Sequence, residues 1–375
     1  MSEAEWVLAV DLGTTRTRAA YVSPDHQQPV LVETSASQST WLPSTVCRDP
    51  LWGGWLVGDA ADELRDGWSD MYFRNGKSSL GQSEPHFING HPFSILELVA
   101  QPLIHIATLA RAQARHVFEK LALAVPVEFG HLRHDTLQQA GEMAGFPLCC
   151  ISVTTEAEAV ARAALGPEPE HGRWLIFDMG GGTLDVALYE TDAKGGRVLD
   201  TYGTAVGGNA IDTEIMNYLQ NEYKLAAKTA TPSPEAGDEE ARLRAERRGE
   251  MRREIQLRDA AERAKRSVTG QHAGRGHISE PPVNMVLPPK IFRGLVESIL
   301  TPAFDQISEM LKRNGELTWD KLTAVICAGG STRSPVIREL LAERATVRSA
   351  ATKPEQAVVL GLLAPPASPP ARPRR

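Results

Sequence analysis

Two segments of the chain share one pattern of apolar and polar positions. Residues 6–21 read WVLAVDLGTTRTRAAY, and residues 174–189 read WLIFDMGGGTLDVALY. In each segment an apolar strand ends in aspartate, a turn of glycine and threonine follows, and a second strand closes on tyrosine. The repeated pattern predicts two β-hairpins that occupy equivalent places in two similar lobes.

A third segment has helical spacing. Residues 257–269 read LRDAAERAKRSVT, and apolar residues recur there at intervals of three and four positions. The residues expected to face the core are Leu257, Ala261, Ala264 and Val268. The charged residues of this helix share an adjacent face, for which a solvated, salt-bridged surface is the ordinary interpretation.

A fourth segment combines a strand, a glycine turn and a helix. Residues 322–341 read LTAVICAGGSTRSPVIRELL. Proline is favoured in the first turn of a helix and serine at its N-cap, so we predict a helix that begins at Ser334 and Pro335. The two glycines before it allow close approach of another group, such as a flat ring or a ribose.

Composition narrows the class of protein. A chain of 375 residues with 42% hydrophobic content can bury a large core in more than one domain. The net charge of −7 argues against nucleic acid as a partner. The apolar stretch at 93–110 contains Glu97, Gln101, Pro102 and His105, which predicts an amphipathic helix and no membrane span.

The N-terminus and the cysteines predict a cytoplasmic location. The opening residues, MSEAEW, lack the basic and then apolar order of a signal peptide. The four cysteines have neither metal-binding nor disulfide-framework spacing, which is typical of a reducing compartment.

The glycine-rich turns indicate an anion-binding site. Glycine exposes main-chain N–H groups to a ligand, and threonine hydroxyls add further donors. Asp11, Asp178 and Asp185 would repel a polyphosphate unless a cation such as Mg²⁺ lay between them. Two hairpin turns with exposed aspartate caps are the alternative.

Other phosphate-binding motifs are excluded. Gly76-Lys77-Ser78 resembles the end of a P-loop, but Met71 stands where that motif needs its first glycine. No strand, G-x-G-x-x-G and helix of the dinucleotide type occurs in the sequence.

Five motifs in order resemble the nucleotide-binding domain of the DnaK-type, seventy-kilodalton heat-shock chaperones. They are DLGTT (11–15), DMGGGTLD (178–185), VGGNAID (206–212), LRDAAERAKRS (257–267) and AGGSTRSP (328–335). The resemblance implies an α/β, actin-like ATPase fold with two lobes, each with a mixed sheet flanked by helices and split into two subdomains. It also implies ATP or ADP with Mg²⁺ in the cleft between the lobes.

The resemblance assigns roles to individual residues. Expected nucleotide contacts are Gly13, Thr14, Thr15, Gly180, Gly181, Gly182, Gly207, Gly208, Glu262, Lys265, Arg266, Gly329, Gly330, Ser331 and Arg333. Expected catalytic residues are Asp11, Lys77, Glu156, Asp178, Thr183 and Asp185. Within these sets Asp11 and Asp178 would organise the metal, and Asp185 would polarise the attacking water.

Alternatives remain at several positions. Lys77 has the family's spacing to Gly81, but a surface lysine is the competing interpretation. Glu156 competes with Glu158 for the family's catalytic glutamate. Arg16 stands where the family commonly has a smaller or aromatic residue, and either reaches phosphate or blocks ordinary nucleotide geometry.

The resemblance also divides the chain. The expected parts are lobe I at 1–172 with a smaller subdomain at 41–116, a return of the chain to this lobe at 345–364, lobe II at 173–344 with a smaller subdomain at 209–288, and a disordered Pro/Arg tail at 365–375. The stretch from Lys228 to Glu254 predicts a solvated loop that runs into a charged helix. We expect no peptide-binding domain in this chain.

The expected function is a Mg²⁺-dependent ATPase that acts as a nucleotide-driven switch for protein partners, such as a co-chaperone or a client-binding subunit. An actin-like protein that forms filaments with ATP is one alternative, and an ATP sensor without hydrolysis is another. A sugar kinase on the same fold is the least favoured, because no segment suggests a sugar pocket.

Overall fold

The computed structural model describes residues 5–365 except 35–37, 66–67, 75, 128, 168, 194, 226–238, 270, 280–281 and 352, with only the backbone described at 26–27, 69 and 239–248. The predicted loop after Lys228 and the predicted tail beyond residue 365 therefore lie outside the described residues.

The described residues form short and long strands in several sheets. In chain order they are β1 Val7–Leu12, β2 Arg16–Ser23, β3 His26–Leu31, β4 Leu42–Pro43, β5 Val46–Arg48, β6 Trp55–Val57, β7 Tyr72–Phe73, β8 His86–Ile88, β9 His91–Phe93, β10 Lys120–Val125, β11 Ile151–Thr155, β12 Gly172–Met179, β13 Leu184–Asp192, β14 Gly195–Thr204, β15 Gly274–Ser279, β16 Pro282–Leu287, β17 Ala324–Ala328 and β18 Val347–Ser349.

The α-helices alternate with these strands. They are α1 Asp59–Leu64, α2 Ile95–Ala114, α3 His131–Met143, α4 Glu156–Leu165, α5 Gly208–Glu222, α6 Glu239–Ser267, α7 Pro289–Arg313, α8 Pro335–Ala342 and α9 Ala357–Leu363. Helix α8 begins where the sequence predicts, with Ser334 at the N-cap position, although the serine side chain makes no capping hydrogen bond.

Two large sheets have the same strand order, which confirms the repeat seen in the sequence. The first sheet runs β3–β2–β1–β10–β11 and the second runs β14–β13–β12–β17–β18. In each sheet the opening hairpin, β1–β2 or β12–β13, is antiparallel. On the other side of the first hairpin strand the neighbouring strand is parallel to it: β10 beside β1, and β17 beside β12. Asp11 is paired with Arg18 across the first hairpin, and Asp178 with Asp185 across the second. The predicted class, α/β with mixed sheets flanked by helices, is confirmed.

Helices α4 and α9 form the layer between the two sheets. Val359 of α9 packs on Ala9 and Ala20 of the first sheet, whereas Val160 of α4 packs in a cluster with Trp174 of the second. The two helices cross so closely that a Cβ on Gly361 would lie 1.7 Å from the carbonyl oxygen of Ala159. Glycine is required at this crossing, which joins the two halves of the molecule.

Helix α2 is a core helix of the first half. It is long and apolar enough to cross a membrane by length and composition, but half of its apolar window is buried in the protein. Leu98, Leu103 and Ile106 lie in the core cluster beneath the first sheet. Its N-terminus has a capping box between Ser94 and Glu97, as expected for an amphipathic helix.

Helix α6 buries the face predicted from its spacing. The residues expected in the core are buried there: Leu257, Ala261, Ala264 and Val268. The hairpin of β15 and β16 lies against this helix, and a Cβ on Gly274 would lie 2.1 Å from the carbonyl oxygen of Ala264. The adjacent, charged face of α6 faces the cleft described next.

Candidate functional site

The two repeated turns meet in the wall of a cleft of about 580 Å³. The cleft is lined by residues of both large sheets and of helices α4, α6 and α8. The residues singled out in the sequence that line it are Asp11, Gly13, Thr14, Thr15, Arg16, Lys77, Glu156, Asp178, Gly180, Gly181, Gly182, Thr183, Gly208, Glu262, Lys265, Arg266, Gly329, Gly330, Ser331 and Arg333. Asp185 and Gly207 lie outside this wall.

The glycines of the second turn pack directly on the threonines of the first. A Cβ on Gly181 would lie 2.1 Å from Thr15 Oγ1, and one on Gly182 would lie 2.5 Å from Thr14 Oγ1. Glycine is thus needed here so that the two turns can approach each other, in addition to any approach of a ligand. The hydroxyl of Thr15 is buried without a hydrogen-bond partner in the described part of the chain.

A third turn supports the second from behind. The amide of Gly208 donates to the Gly180 carbonyl at 3.0 Å, and the amide of Asn209 donates to the Gly181 carbonyl at 2.7 Å. A Cβ on Gly207 would lie 2.6 Å from the Gly181 carbonyl oxygen. Gly207 therefore serves backbone packing behind the cleft wall, while Gly208 lines the cleft.

The two glycines after β17 differ in their surroundings. Gly329 has φ +78°, and a Cβ there would lie 2.4 Å from Asp178 Oδ1. A Cβ on Gly330 would meet no atom within 4 Å. Gly329 thus lets the chain pass beside the Asp178 carboxylate, whereas Gly330 borders open space in the cleft. Ser331 Oγ donates to the Gly180 carbonyl at 2.7 Å and ties this turn to the second hairpin.

Lys77 and Glu156 meet at the floor of the cleft. Lys77 lies in a single 3-10 turn, Gly76–Ser79, and Glu156 is the first residue of α4. Their side chains form a buried ion pair, with that of Lys77 only 4% exposed. The surface-lysine interpretation is therefore wrong. Glu158 instead pairs with Arg162 and is 40% exposed, so Glu156 is the glutamate that the fold brings to the cleft.

The partly buried Asp11 and the buried Asp178 and Asp185 surround this ion pair. Burial raises the pKa of Asp11 to about 6 and that of Asp185 to about 7, and it raises the pKa of Asp178 well above its ordinary value. The same burial would lower the pKa of Lys77, but Glu156 and Asp11 outweigh it and raise that pKa. The ammonium is thus held in its charged form by carboxylates.

The second hairpin is also connected to a loop on the first half. The amide of Val127 donates to Asp185 Oδ1 at 2.7 Å. The other carboxylate oxygen, Oδ2, is buried without a hydrogen-bond partner among the described residues. An unpaired carboxylate oxygen at this depth is suited to accept a proton from water or to bind a cation.

The residue types at this end of the cleft fit Mg²⁺. Asp11, Asp178 and Asp185 offer the hard oxygen donors that this ion prefers. In the described parts of the chain, no three His, Cys, Asp or Glu side chains form a ready-made metal cage. Such a sparse donor set suits Mg²⁺, which usually keeps several waters and takes ligands from phosphate.

At the other end of the cleft, charged residues of α6 and of the turn after β17 are held in ion pairs. Lys265 Nζ contacts Asp212 at 2.7 Å and donates to the Gly208 carbonyl at 3.0 Å. Arg266 pairs with Glu262 at 2.8 Å, one helical turn away. Glu262, Lys265 and Arg266 all line the cleft. Arg266 is nevertheless exposed and paired within the helix, as the solvated, salt-bridged interpretation predicts, whereas Glu262 and Lys265 are partly buried.

Two ion pairs connect the first half to α6, and one of them includes Glu262, which lines the cleft. Arg65, just after α1, contacts Asp259 of α6 at 2.6 Å. Arg74, just after β7, contacts Glu262 of the same helix at 3.3 Å. Both connect the segment 59–74 of the first half to α6 of the second, so opening of the cleft at this end must break them.

Several cleft residues were not identified from the sequence, among them the polar and aromatic side chains of Arg18, Trp41, Asp212 and Glu355. Asp212 lies inside the motif VGGNAID, which could have drawn attention to it. Arg18 is two positions after Arg16, so strand alternation places both on one face of β2. For Trp41 and Glu355 the sequence has no comparable signal.

Comparison with known proteins identifies the family of the chain. A family model described as Hsp70 protein matches residues 81–363, which is more than half of the chain. The curated proteins named "Chaperone protein DnaK" from Metamycoplasma hominis and Methanothermobacter thermautotrophicus are 27% and 26% identical over 90% and 91% of this chain. That of Thermosipho melanesiensis is 25% identical over 96%. The matches cover 55%, 56% and 59% of those relatives, so the chain spans little more than half their length.

Proposed function

The chain belongs to the Hsp70 family, whose nucleotide-binding domains are chaperone-type ATPase domains of actin-like fold. From this premise we propose that the chain hydrolyses ATP with Mg²⁺ and acts as a switch for protein partners. The observation that carries the proposal is the meeting of Lys77, Glu156 and Asp178 at the floor of one cleft. Two glycine and threonine turns border the same floor, so donors for phosphate and ligands for a cation are adjacent.

The proposed nucleotide lies along the length of the cleft. Glu262, Lys265, Arg266, Ser331 and Arg333 would hold adenosine, since they line the end of the cleft formed by α6 and α8. The residues that would hold the phosphates are Gly13, Thr14, Thr15, Gly180, Gly181, Gly182 and Thr183. The unpartnered hydroxyl of Thr15 supports this assignment, because a phosphate oxygen would give it an acceptor.

The proposed chemistry is attack of water on the γ-phosphate. Asp11 and Asp178 would hold Mg²⁺, which neutralises charge on the phosphate oxygens when it is bound. Lys77, kept charged by its carboxylate neighbours, would donate to the transferred phosphoryl group. Asp185 would accept a hydrogen bond from the attacking water through its unpartnered Oδ2, while the Val127 amide holds its other oxygen.

The proposed switch rests on how the site is connected to the rest of the fold. Helices α4 and α9 lie between the two sheets, and Glu156 begins α4. Val127, which bonds Asp185, follows Pro126 in a loop of the first half. A change in charge at the cleft floor would therefore alter how the two halves close, as in hinge-type switches.

The protein partners and the location are part of the same proposal. Protein partners, for instance a co-chaperone or a client-binding subunit, would bind the open and closed states of the cleft with different affinity. A cytoplasmic location suits the cysteines, because Cys47, Cys149, Cys150 and Cys327 are all free thiols.

The test combines ATP turnover with light scattering on the same protein. We expect phosphate release that needs Mg²⁺, stops in chelator, and proceeds without an increase in scattering. Scattering that rises with ATP would favour the filament-forming alternative. ATP binding without turnover at any Mg²⁺ concentration would favour the sensor, and absence of ATP binding would overturn the proposal.

A further inference from the structure

The cleft contains two arginines that have no carboxylate partner. Six cationic side chains line it: Arg16, Arg18, Lys77, Lys265, Arg266 and Arg333. Four of these form ion pairs, with Glu156, Asp212, Glu262 and Glu355 respectively. Among the residues that the structure describes, Arg16 and Arg18 make neither an ion pair nor a hydrogen bond through their side chains. The remaining wall carboxylates, Asp11 and Asp178, are the proposed metal ligands.

Arg18 is buried yet turned towards the cleft. The Arg18 side chain is only 6% exposed, and it lines the cleft. Its strand neighbour Thr17 faces the opposite side of the sheet, as expected from strand alternation. The cross-strand partner of Arg18 is Asp11, but the two side chains do not approach to ion-pair distance. A buried guanidinium without an anion is costly, so an anionic group is the natural complement of this position.

Arg16 lies on the same face of β2, two residues earlier. Its guanidinium stacks over the Trp41 ring, 4.1 Å from the ring centroid, which fixes the side chain at the cleft wall. Burial, and then the nearby charges of Arg266 and Arg18, lower its pKa to about 10, although Glu262 and Glu355 act in the opposite direction. The direct contact of the Arg16 guanidinium is thus with a neutral ring, and the carboxylates nearby are paired with other cations.

The pair lies between the two ends of the cleft. Arg16 is close enough to Arg266 and Glu262 to feel their charges, and Arg18 is close enough to Asp11 and Arg333. Glu355, which is paired with Arg333, acts on both arginines. A nucleotide bound as proposed, with its nucleoside at α6 and its terminal phosphates at Asp11 and Asp178, would therefore bring its ribose and first phosphate near these arginines.

We propose that Arg16 and Arg18 form an anion-binding subsite that recognises a phosphoryl group next to the ribose of the bound nucleotide. The inference rests on the proposed function for the identity of the nucleoside. Guanidinium groups bind phosphate oxygens with charge-assisted, often bidentate hydrogen bonds, which is the chemistry that this pair offers. The phosphoryl group has two sources: the 5′-phosphate of the nucleotide, or a further phosphate on a ribose hydroxyl.

The test is calorimetric binding of adenosine, AMP and adenosine 3′,5′-bisphosphate to the full chain in chelator. The variants are Arg18→Gln and Arg16→Gln, and the matched control is Arg197→Gln, which removes the same charge from an exposed site on β14. If the 5′-phosphate is the ligand, the gain in affinity of AMP over adenosine falls about 10-fold or more in both variants, since each hydrogen bond involves charge. If a ribose phosphate is the ligand, the gain of the bisphosphate over AMP falls instead.

Two further measurements make the outcome decisive. Thermal melts establish that each variant is folded, and Arg18→Lys, which keeps the charge, should recover part of the lost affinity. Pyrophosphate contains no nucleoside, so weaker binding of pyrophosphate to Arg18→Gln than to the wild type supports the subsite independently of adenosine. If adenosine itself does not bind, that result contradicts the proposed function and leaves the subsite to be judged from pyrophosphate. Folded variants that retain every phosphate-dependent gain, and bind pyrophosphate like the wild type, overturn the inference.

Discussion

The ammonium of Lys77 and the carboxylate of Glu156 form a buried ion pair although the two residues are 79 positions apart in the chain. Lys77 comes from a short 3-10 turn of the first half, and Glu156 begins the helix that packs between the two sheets. Asp11 and Asp185 add to the negative potential that holds Lys77 charged. We therefore expect this ion pair to contribute both to the stability of the folded protein and to the proposed hydrolysis of ATP.

We expect Lys77→Met and Glu156→Gln each to destabilise the protein by about 3 kcal/mol, because each leaves the partner buried without its counter-charge. The double variant should lose much less than the sum of the two. Chemical denaturation of the four proteins gives this coupling directly. Simple additivity of the two losses would show that the pair contributes little to folding. All three variants should also lose ATP turnover.

Local signals in the sequence predicted the individual elements around the cleft, whereas the overall fold was predicted from the resemblance to a family. Both hairpins, the strand before Ala328 and the core face of α6 follow from periodicity that depends on neighbouring residues alone. The meeting of Lys77 with Glu156 has no such local signal, since it depends on the packing of distant segments. Only resemblance to a family placed these two residues together.

Arg16 was noticed because it departs from the family motif, whereas strand alternation alone did not single out Arg18. Both side chains lie on one face of β2, but the sequence does not tell which part of a face packs on a helix and which opens into a cleft. Ala20, further along the same face, packs on Val359 of α9, whereas Arg18 faces the cleft. The glycines also had a second purpose, because Gly181 and Gly182 pack on threonines of the other turn.

Asp178→Asn tests the proposed metal site. Asp178 is buried among other carboxylates, so the neutral amide should leave the melting temperature without nucleotide unchanged or slightly higher. Turnover of Mg²⁺-ATP should fall 100-fold or more, in line with the loss of a group that stabilises transition-state charge. The control Asp305→Asn removes a carboxylate from the exposed surface of α7 and should alter neither quantity. Unchanged turnover in Asp178→Asn would contradict the assignment.

The buried aspartates should make stability depend on pH when nucleotide and metal are removed. The folded-state pKa values of Asp11, about 6, and Asp185, about 7, lie above their ordinary value of 3.8 because of burial. Between pH 4 and 7 the folded protein therefore binds more protons than the unfolded chain, and its stability falls as the pH rises. In chelator, the contribution of Asp11 and Asp185 should make the melting temperature lower at pH 8 than at pH 5.5.

Asp185→Asn removes one of the two groups and should flatten this slope. Asp305→Asn, again on the exposed surface of α7, should leave the slope as it is. Melting curves measured across this pH range compare the three proteins. An identical slope in wild type and Asp185→Asn would show that Asp185 does not bind its proton more tightly in the folded state.

Arg266→Ala and Arg333→Ala test the proposed adenosine end of the cleft. Both guanidinium groups are more than half exposed and paired with glutamates, so each should contribute modestly, about 3- to 10-fold in affinity through stacking on the base. Because neither residue is placed to read the γ-phosphate, ATP and ADP should lose affinity equally in calorimetry. If only the affinity for ATP fell and that for ADP stayed the same, the two arginines would lie near the terminal phosphate and not near the adenosine.

The ion pair of Arg65 with Asp259 should slow the release of nucleotide. It connects the first half to α6 with two contacts, at 2.6 and 3.2 Å, and the pair of Arg74 with Glu262 makes a second connection to the same helix. Since the pair is only partly exposed, we expect Asp259→Asn to lower the barrier to opening by about 1 kcal/mol, which is roughly a 5-fold faster release.

Stopped-flow displacement of a fluorescent ADP analogue measures this rate. Asp259→Asn combined with Arg74→Gln should release ADP faster than either change alone, because both ion pairs must break when α6 moves away from the segment 59–74. The control Glu343→Gln removes a surface contact of Arg293 between α7 and α8 and lies outside the cleft. Equal release rates in the wild type and the double variant would show that the cleft opens at another place, and that these ion pairs serve only the packing of α6.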